Sequence, residues 1–375
     1  MPPLSAYLHV PFCTHRCGYC NFTLVSGRPD LVGPFLDAIE RELSQLGTPR
    51  PVQTMFFGGG TPTYLPSDAL ARFLSIVQHW HPLEAGGEWS VEANPLDVTP
   101  SLVAQLAAAG VTRISLGAQS FSPRKLKLLE RDHSAEVITQ AVSTIRAAGL
   151  QVALDLIFGV PDETLEEWQA DLQQAIALAP NHVSTYGLTW EQGTSYWTRR
   201  EHGELTPVDE ETERAMYLAA IATLTAAGFE HYEVSNFARP GFRCRHNEAY
   251  WLGDEYYAAG PGAARYINGK RSVNHRSTTT WLQRIERGES PIAERETLSQ
   301  EDRARELLVF GLRRLEGVSA TWFSAKSGRE LRPLLGERGQ SLLEHGFLRW
   351  DDERLRLTQS GLLIADSICE ELLRE

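Results

Sequence analysis

Cys13, Cys17 and Cys20 stand almost at the start of the chain, in the run Cys13-Thr-His-Arg-Cys17-Gly-Tyr-Cys20. Their spacing is C-x3-C-x2-C, with no fourth cysteine nearby. Three thiolates from one tight loop can hold three irons of a cubane iron–sulfur cluster and leave the fourth iron open to a small ligand. A structural zinc would need a fourth protein ligand to close its tetrahedron. His15 is the candidate for that role. It sits inside the loop between two of the cysteines, where closing around one metal is awkward, so the spacing favours a cluster.

Other polar residues recur at the ends of short apolar runs. Gly58-Gly59-Gly60-Thr61 follows the run Thr54–Phe57. Consecutive glycines let the backbone approach a ligand with no Cβ in the way, although a flexible loop reads the same. Glu92 closes the run before Asn94-Pro95. A carboxylate there is costly unless paired, so Glu92 is read as having a ligand partner, with a helix-capping acid as the alternative. Gln119, which both donates and accepts, and Arg131 follow the next run. Asp155 lies inside Leu154–Val160 and is either a ligand contact or a buried structural acid. Much later, His246, Asn247, Tyr250 and Trp251 fall within six residues. Imidazole can ligate haem iron and aromatic rings can pack on a porphyrin. A surface histidine beside two core aromatics fits the same composition.

What must position these residues is an alternation of short apolar runs with segments of helical period, from residue 4 to about residue 190. The runs are Ala6–Val10, Thr54–Phe57, Trp89–Glu92, Arg113–Gly117, Val152–Phe158 and Val183–Leu188. Amphipathic segments such as Phe35–Leu46, Ala135–Ala148 and Leu165–Leu178 separate them. Six strand–helix units predict an α/β fold with a parallel sheet and right-handed crossovers. A closed eight-fold barrel would need two more units, so the expected form is an open six-fold partial TIM barrel. Chemistry in such a sheet gathers at the C-terminal strand ends. Residues 1–190 are therefore read as the core and 191–295 as an extension carrying the histidine motif. Residues 296–375 are read as a small domain of helices and one hairpin, resembling a winged helix.

Composition narrows the classes. The net charge of −12 argues against non-specific nucleic-acid binding, which needs clustered Lys and Arg. Five cysteines, three of them in one loop, do not make a disulfide framework, and thiolate ligation suits a reducing compartment. No secretory signal and no apolar run of about 20 residues are found. The expected location is cytoplasmic.

The C-x3-C-x2-C loop is also the spacing used by radical S-adenosylmethionine (SAM) enzymes, and the chain resembles that superfamily. The resemblance implies a [4Fe–4S] cluster on Cys13, Cys17 and Cys20, with the SAM amino and carboxylate groups on the open iron. The set HVPFC, CxxxCxYC, FGGGTPT, VEANP, GAQSF, DLIFGVP and HNEAYW is similar, nearly end to end, to the coproporphyrinogen III oxidase-like branch. Carried over position by position, that pattern assigns Tyr7, Tyr19, Gly59, Gly60, Thr61, Glu92, Gln119, Arg131 and Asp155 to SAM. Thr189 and Arg265 are added from less distinctive stretches.

HNEAYW resembles the haem-binding signature of the haem-chaperone group in this branch. It implies haem near His246, with Asn247, Tyr250 and Trp251, and an acceptor protein that receives it. The resemblance also places the C-terminal domain over the barrel as a lid. The competing activity is oxygen-independent coproporphyrinogen III oxidation. The oxidase pattern continues the cluster motif with one more cysteine, where this chain has Phe22, and it carries a long N-terminal arm before the first strand, where six residues precede Tyr7 here. Both differences, with the presence of HNEAYW, favour the chaperone. Neither reading calls for nucleic acid or a transmembrane segment, and both leave room for transient membrane contact and for a homodimer.

Overall fold

A computed structural model describes residues 2–374 of the chain. Six strands form the expected parallel core: β1 (Ser5–Val10), β2 (Val52–Gly59), β3 (Leu83–Ala93), β4 (Arg113–Gln119), β5 (Gln151–Phe158) and β6 (His182–Gly187). They lie side by side in chain order. Four helices cover the outside of this sheet: α1 (Val32–Ser44), α2 (Ser67–Trp80), α3 (Pro100–Ala108) and, before β5, α5 (Ala135–Ala147), with a short α4 (Pro123–Leu128) ahead of it. A fifth, α6 (Leu165–Ala177), links β5 to β6. Each buries one apolar stripe, as Phe35, Leu36, Ile39 and Leu43 of α1 do. Thr164 opens α6 with a reciprocal capping box to Glu167.

The sheet is wider than six units, and among the further strands the sequence marks only residues 229–234. Beyond β6 come α7 (Ser195–Glu201), α8 (Glu210–Ala226), β7 (Glu230–Glu233), β8 (Asn236–Ala238), α9 (Arg245–Trp251) and β9 (Tyr256–Ala259). Then follow β10 (Ala264–Ile267), β11 (Lys270–Asn274), α10 (Thr278–Glu286) and β12 (Ile292–Thr297). Strand β9 pairs parallel to β1, and β10 to β12 extend that edge antiparallel, while β8 and β7 extend the other edge from β6. The extensions are short or polar strands, and a strand of four residues carries too few alternations to be read from sequence.

Strand register stacks the lumen-facing side chains in layers. Ser5, Thr54 and Glu88 share the lowest layer, and Phe56, Ser90 and Arg113 the next. Glu92, Ser115, Ala153 and His182 form a third row, which, because barrel strands are tilted, runs from Glu92 near the mouth down to His182 near the floor. From Thr54 to Gly59 is about 16 Å of strand, which separates the floor of the open barrel from its mouth.

The C-terminal domain has its own apolar core. Helices α11 (Gln300–Leu312), Ala320–Ser327 and Gly336–Glu344 pack with a three-stranded antiparallel sheet, whose hairpin is Leu348–Asp351 and Arg354–Leu357. The C-terminal helical stretch, readable in the sequence as one helix over residues 360–373, is broken into Gln359–Leu362 and Ala365–Leu373 at Ile364. This domain is not a lid over the mouth. It is tied to the floor side: Val234 N–H donates to Arg313 O and Leu315 N–H to Tyr232 O. Trp251 of α9 meets Phe310 and the Arg313 guanidinium. No described helix is long and apolar enough to cross a membrane.

Candidate functional site

One cavity of about 700 Å³ runs through the barrel from the cysteine loop to α9, a size that suits a cofactor-sized ligand. Cys13, Cys17 and Cys20 line its mouth, and all are free thiols. Among the described residues no three His, Cys, Asp or Glu side chains are gathered closely enough to hold one metal ion. A cubane takes its thiolate ligands from a wider ring than a single zinc ion does. Burial pushes the Cys13 thiol up to about 11 and raises Cys20 as well. Thiolates there need compensation, and Arg131 supplies it with Nη1 3.8 Å from Cys17 Sγ and Nη2 on Gly117 O.

The segment from Gln119 to His133 clasps the cysteine loop. Gly18 N–H donates to Glu130 Oε2 at 2.7 Å, and His15 Nε2 meets Glu130 O at 2.6 Å. So His15 is spent on a carbonyl. Tyr196 of α7 packs on Gly18 from behind, where a Cβ would collide with its ring. Arg276 and Arg16 donate to the loop carbonyls of Asn21 and of Cys20 and Leu24. Phe22 stands at the rim, 66% exposed.

The glycine turn is required by space. A Cβ on Gly58 would meet Glu92, one on Gly59 the His9 ring, and one on Gly60 the backbone of Val10 and Phe12. Gly59 also has φ of +106°. Thr61 Oγ1 lies 3.4 Å from Cys13 Sγ. Glu92 accepts Gly59 N–H at 3.0 Å. Burial, then the nearby Asp155, pushes the Glu92 carboxyl up to about 8. Asp155 is also raised by burial, and it accepts from Ser115 at 3.0 Å. Gln119, at φ +62°, ends β4 at the mouth.

Tyr19, Gly59, Gly60, Thr61, Glu92, Gln119, Arg131, Asp155 and Thr189 thus share one cavity. Two predicted contacts do not reach it. Tyr7 turns its hydroxyl to His9 Nδ1 at 3.1 Å, and the other ring nitrogen of His9 meets Thr23 O at 2.6 Å, so this pair braces the far arm of the cysteine loop. Arg265 lies on β10 and faces the buried Glu42 at 3.8 Å. Its local sequence had no signal beyond the neighbouring Gly260-Pro-Gly262.

The histidine motif is helix α9, which plugs the floor. Glu88, from β3, caps it by accepting Arg245 N–H and His246 N–H, each at 3.2 Å. Arg113 pairs with Glu88 at 3.4 Å. Of the four predicted haem residues only Asn247 lines the cavity. His246 is 1% exposed and stacks on Phe56. Its Nδ1 is 3.0 Å from Thr54 Oγ1 and its Nε2 2.8 Å from the Tyr250 hydroxyl. Burial alone lowers it to about 3, so it is a neutral imidazole. Cys244, next to the motif, donates toward Glu88 and is held as a thiol, pushed up to about 12 by burial.

Sequence reasoning missed the Lys125–Glu163–Asp171 cluster. Lys125 is 0% exposed, and its Nζ contacts Glu163, Asp171 at 2.7 Å and Ile157 O at 3.2 Å. Asp171 also accepts from Ser120 and from Phe121 N–H. The cluster anchors the turn between Gln119 and Arg131. A lysine among Arg and Lys in Pro123–Leu128 looks like a solvated face, so composition hid it.

A model of the Radical SAM superfamily matches residues 7–175, and a model of the HemN C-terminal domain matches residues 298–364. The heme chaperone HemW of Mycobacterium tuberculosis is 38% identical, with 99% of this chain and 95% of that protein covered. The heme chaperone HemW of Escherichia coli is 34% identical over 100% of this chain and 99% of that one. The structure of coproporphyrinogen III oxidase (HemN) from Escherichia coli has a TM-score of 0.88 at 22% identity, covering 100% of this chain and 90% of the other.

Proposed function

This chain belongs to the HemW family of radical SAM proteins, and from that premise we propose that it binds haem and passes it to an acceptor protein. In this reading it carries a [4Fe–4S] cluster on Cys13, Cys17 and Cys20 with SAM at the open iron. The observation that carries the proposal is the continuity of the cavity, whose mouth is lined by the three thiols and whose floor is lined by Asn247 of α9.

The residues present fit both groups at the mouth. Three free thiols face one space, Arg131 offsets their charge, and a glycine cradle brings backbone close to Glu92. The cluster, when bound, supplies one electron at low potential to the SAM sulfonium. The chain's own part is positional. Gly59, Gly60 and Thr61 would admit the methionyl end, Glu92 and Asp155 would lie on the side of its amino group and cationic sulfonium, and Gln119 and Thr189 would offer hydrogen bonds at the rim. A cation beside Glu92 and Asp155 would draw their raised pKa values back down and leave them ionised. Haem is assigned to the α9 side, where Asn247 lines the cavity and the buried imidazole of His246, with Tyr250 and Trp251, stands behind it.

The test uses anaerobically reconstituted full-length protein with SAM. Haem is titrated and the Soret band followed, while a parallel sample receives coproporphyrinogen III. Saturable binding near one haem per chain without decarboxylated product is expected. Product without tight haem binding would make the chain an oxidase despite Phe22. Replacing Cys13, Cys17 and Cys20 together by alanine should remove iron and sulfide, and undiminished iron would reject the cluster assignment.

A further inference from the structure

Two buried donors at the floor of the cavity have no hydrogen-bond partner in the protein. His182 begins β6 and Arg113 begins β4, and both line the cavity while buried. His182 Nδ1 is unpaired, and Arg113 Nη1 makes no hydrogen bond but faces Glu88 Oε2 at 3.4 Å. Leaving a buried donor unmet costs about 1–3 kcal/mol, so His182 Nδ1 calls for a ligand or water.

The surroundings define what that ligand must offer. The Tyr232 hydroxyl accepts Cys244 N–H at 3.3 Å and lies 2.9 Å from His182 Nε2. With Nε2 as the acceptor in contact with this hydroxyl, the tyrosine proton is assigned to that bond and the single proton of the neutral ring is then assigned to Nδ1. Arg113 spends Nε and Nη2 on Gln151 Oε1 and Nη2 on Phe242 O and Arg243 O. Its charge is balanced by Glu88. The neighbouring acceptors are occupied: Glu88 by the α9 amides and Asp155 by Ser115. Asn247 brings a further amide to the same end. His182 Nδ1 and the amide N–H groups of Asn247 are the donors left over, and an ionised carboxylate is the common ligand group that only accepts.

We propose that Arg113, His182 and Asn247 form a subsite for a carboxylate carried by the ligand that fills the cavity, at the end remote from the cysteine loop. Identifying that carboxylate as a haem propionate rests on the haem reading above. The subsite itself does not, because any carboxylate-bearing ligand of the cavity would meet the same donors.

Arg113 is a poor test residue, since its loss would strand Glu88 and two carbonyls. His182→Phe removes the donor, and His182→Asn keeps an amide near the Nδ1 position. In the first arm, sodium propionate is added to full-length protein with ¹⁵N-labelled histidine, against sodium chloride at equal ionic strength. The resonance missing from His182→Phe should shift and saturate with propionate only. In the second arm, haem and haem dimethyl ester are titrated. The unmodified protein should bind haem about tenfold tighter than the ester, His182→Phe should bring the two within about twofold, and His182→Asn should restore most of the preference. A propionate shift with no haem binding supports the subsite and removes the haem reading. Haem binding with no preference over the ester and no propionate shift overturns the subsite and leaves the haem reading standing. A preference that survives His182→Phe, without a propionate shift, also overturns it.

Discussion

His246 Nε2 and the Tyr250 hydroxyl, one turn apart in α9, lie 2.8 Å from each other in a buried contact. The motif's own tyrosine therefore occupies the nitrogen that haem iron would need. Thr54 donates to Ser5 and so presents its oxygen to His246 Nδ1, which leaves Nε2 as the acceptor of the tyrosine proton. Tyr250→Phe should strengthen haem binding by about two- to tenfold, because it removes a competing bond from the free protein. A simple haem contact at Tyr250 predicts the opposite sign. Soret titrations of the variant beside His246→Ala, which should weaken binding, separate the two.

Lys125 offers a test of the clasp around the cysteine loop. Lys125→Met leaves Glu163 and Asp171 buried without their cation, which costs roughly 3–5 kcal/mol. The turn that carries Gln119, Glu130 and Arg131 loosens with it. A lower unfolding midpoint and faster loss of iron to a chelator are expected. A variant that unfolds earlier yet holds iron as tightly as the parent would show the clasp to be independent of the cluster.

Gly59→Ala should destabilise the fold by about 2–5 kcal/mol, from left-handed backbone strain plus a collision with the His9 ring. Urea unfolding measures it. A change within about 0.5 kcal/mol would mean that the turn relaxes freely.

Glu92 sets a pH dependence in SAM-free protein. Its folded pKa of about 8 lies above the unfolded value. The folded state then holds a proton that the unfolded chain has released, so stability falls as pH rises from about 4.5 to 8 and levels off above. Glu92→Gln should flatten this part of the thermal-midpoint profile, and SAM should flatten it in the unsubstituted protein. Parallel profiles for the two proteins would count against the assignment.

The cysteine loop, the glycine turn and the strand-end acids were legible because each is a local pattern. Three thiols within eight residues must face one small space, and the alternation of apolar runs with amphipathic segments names the parallel sheet. Those features determined the core architecture and most residues of the cavity mouth. Tertiary structure alone decided partners that are distant in the chain. It sealed His246 between Thr54 and Tyr250, drew Arg265 to Glu42, and buried Lys125 between two acids. It also put the C-terminal domain behind α9 rather than over the mouth. Residue type and spacing state which bonds a side chain can make. Which bond is made depends on the layer of the sheet it enters, and strand register across the barrel settles that.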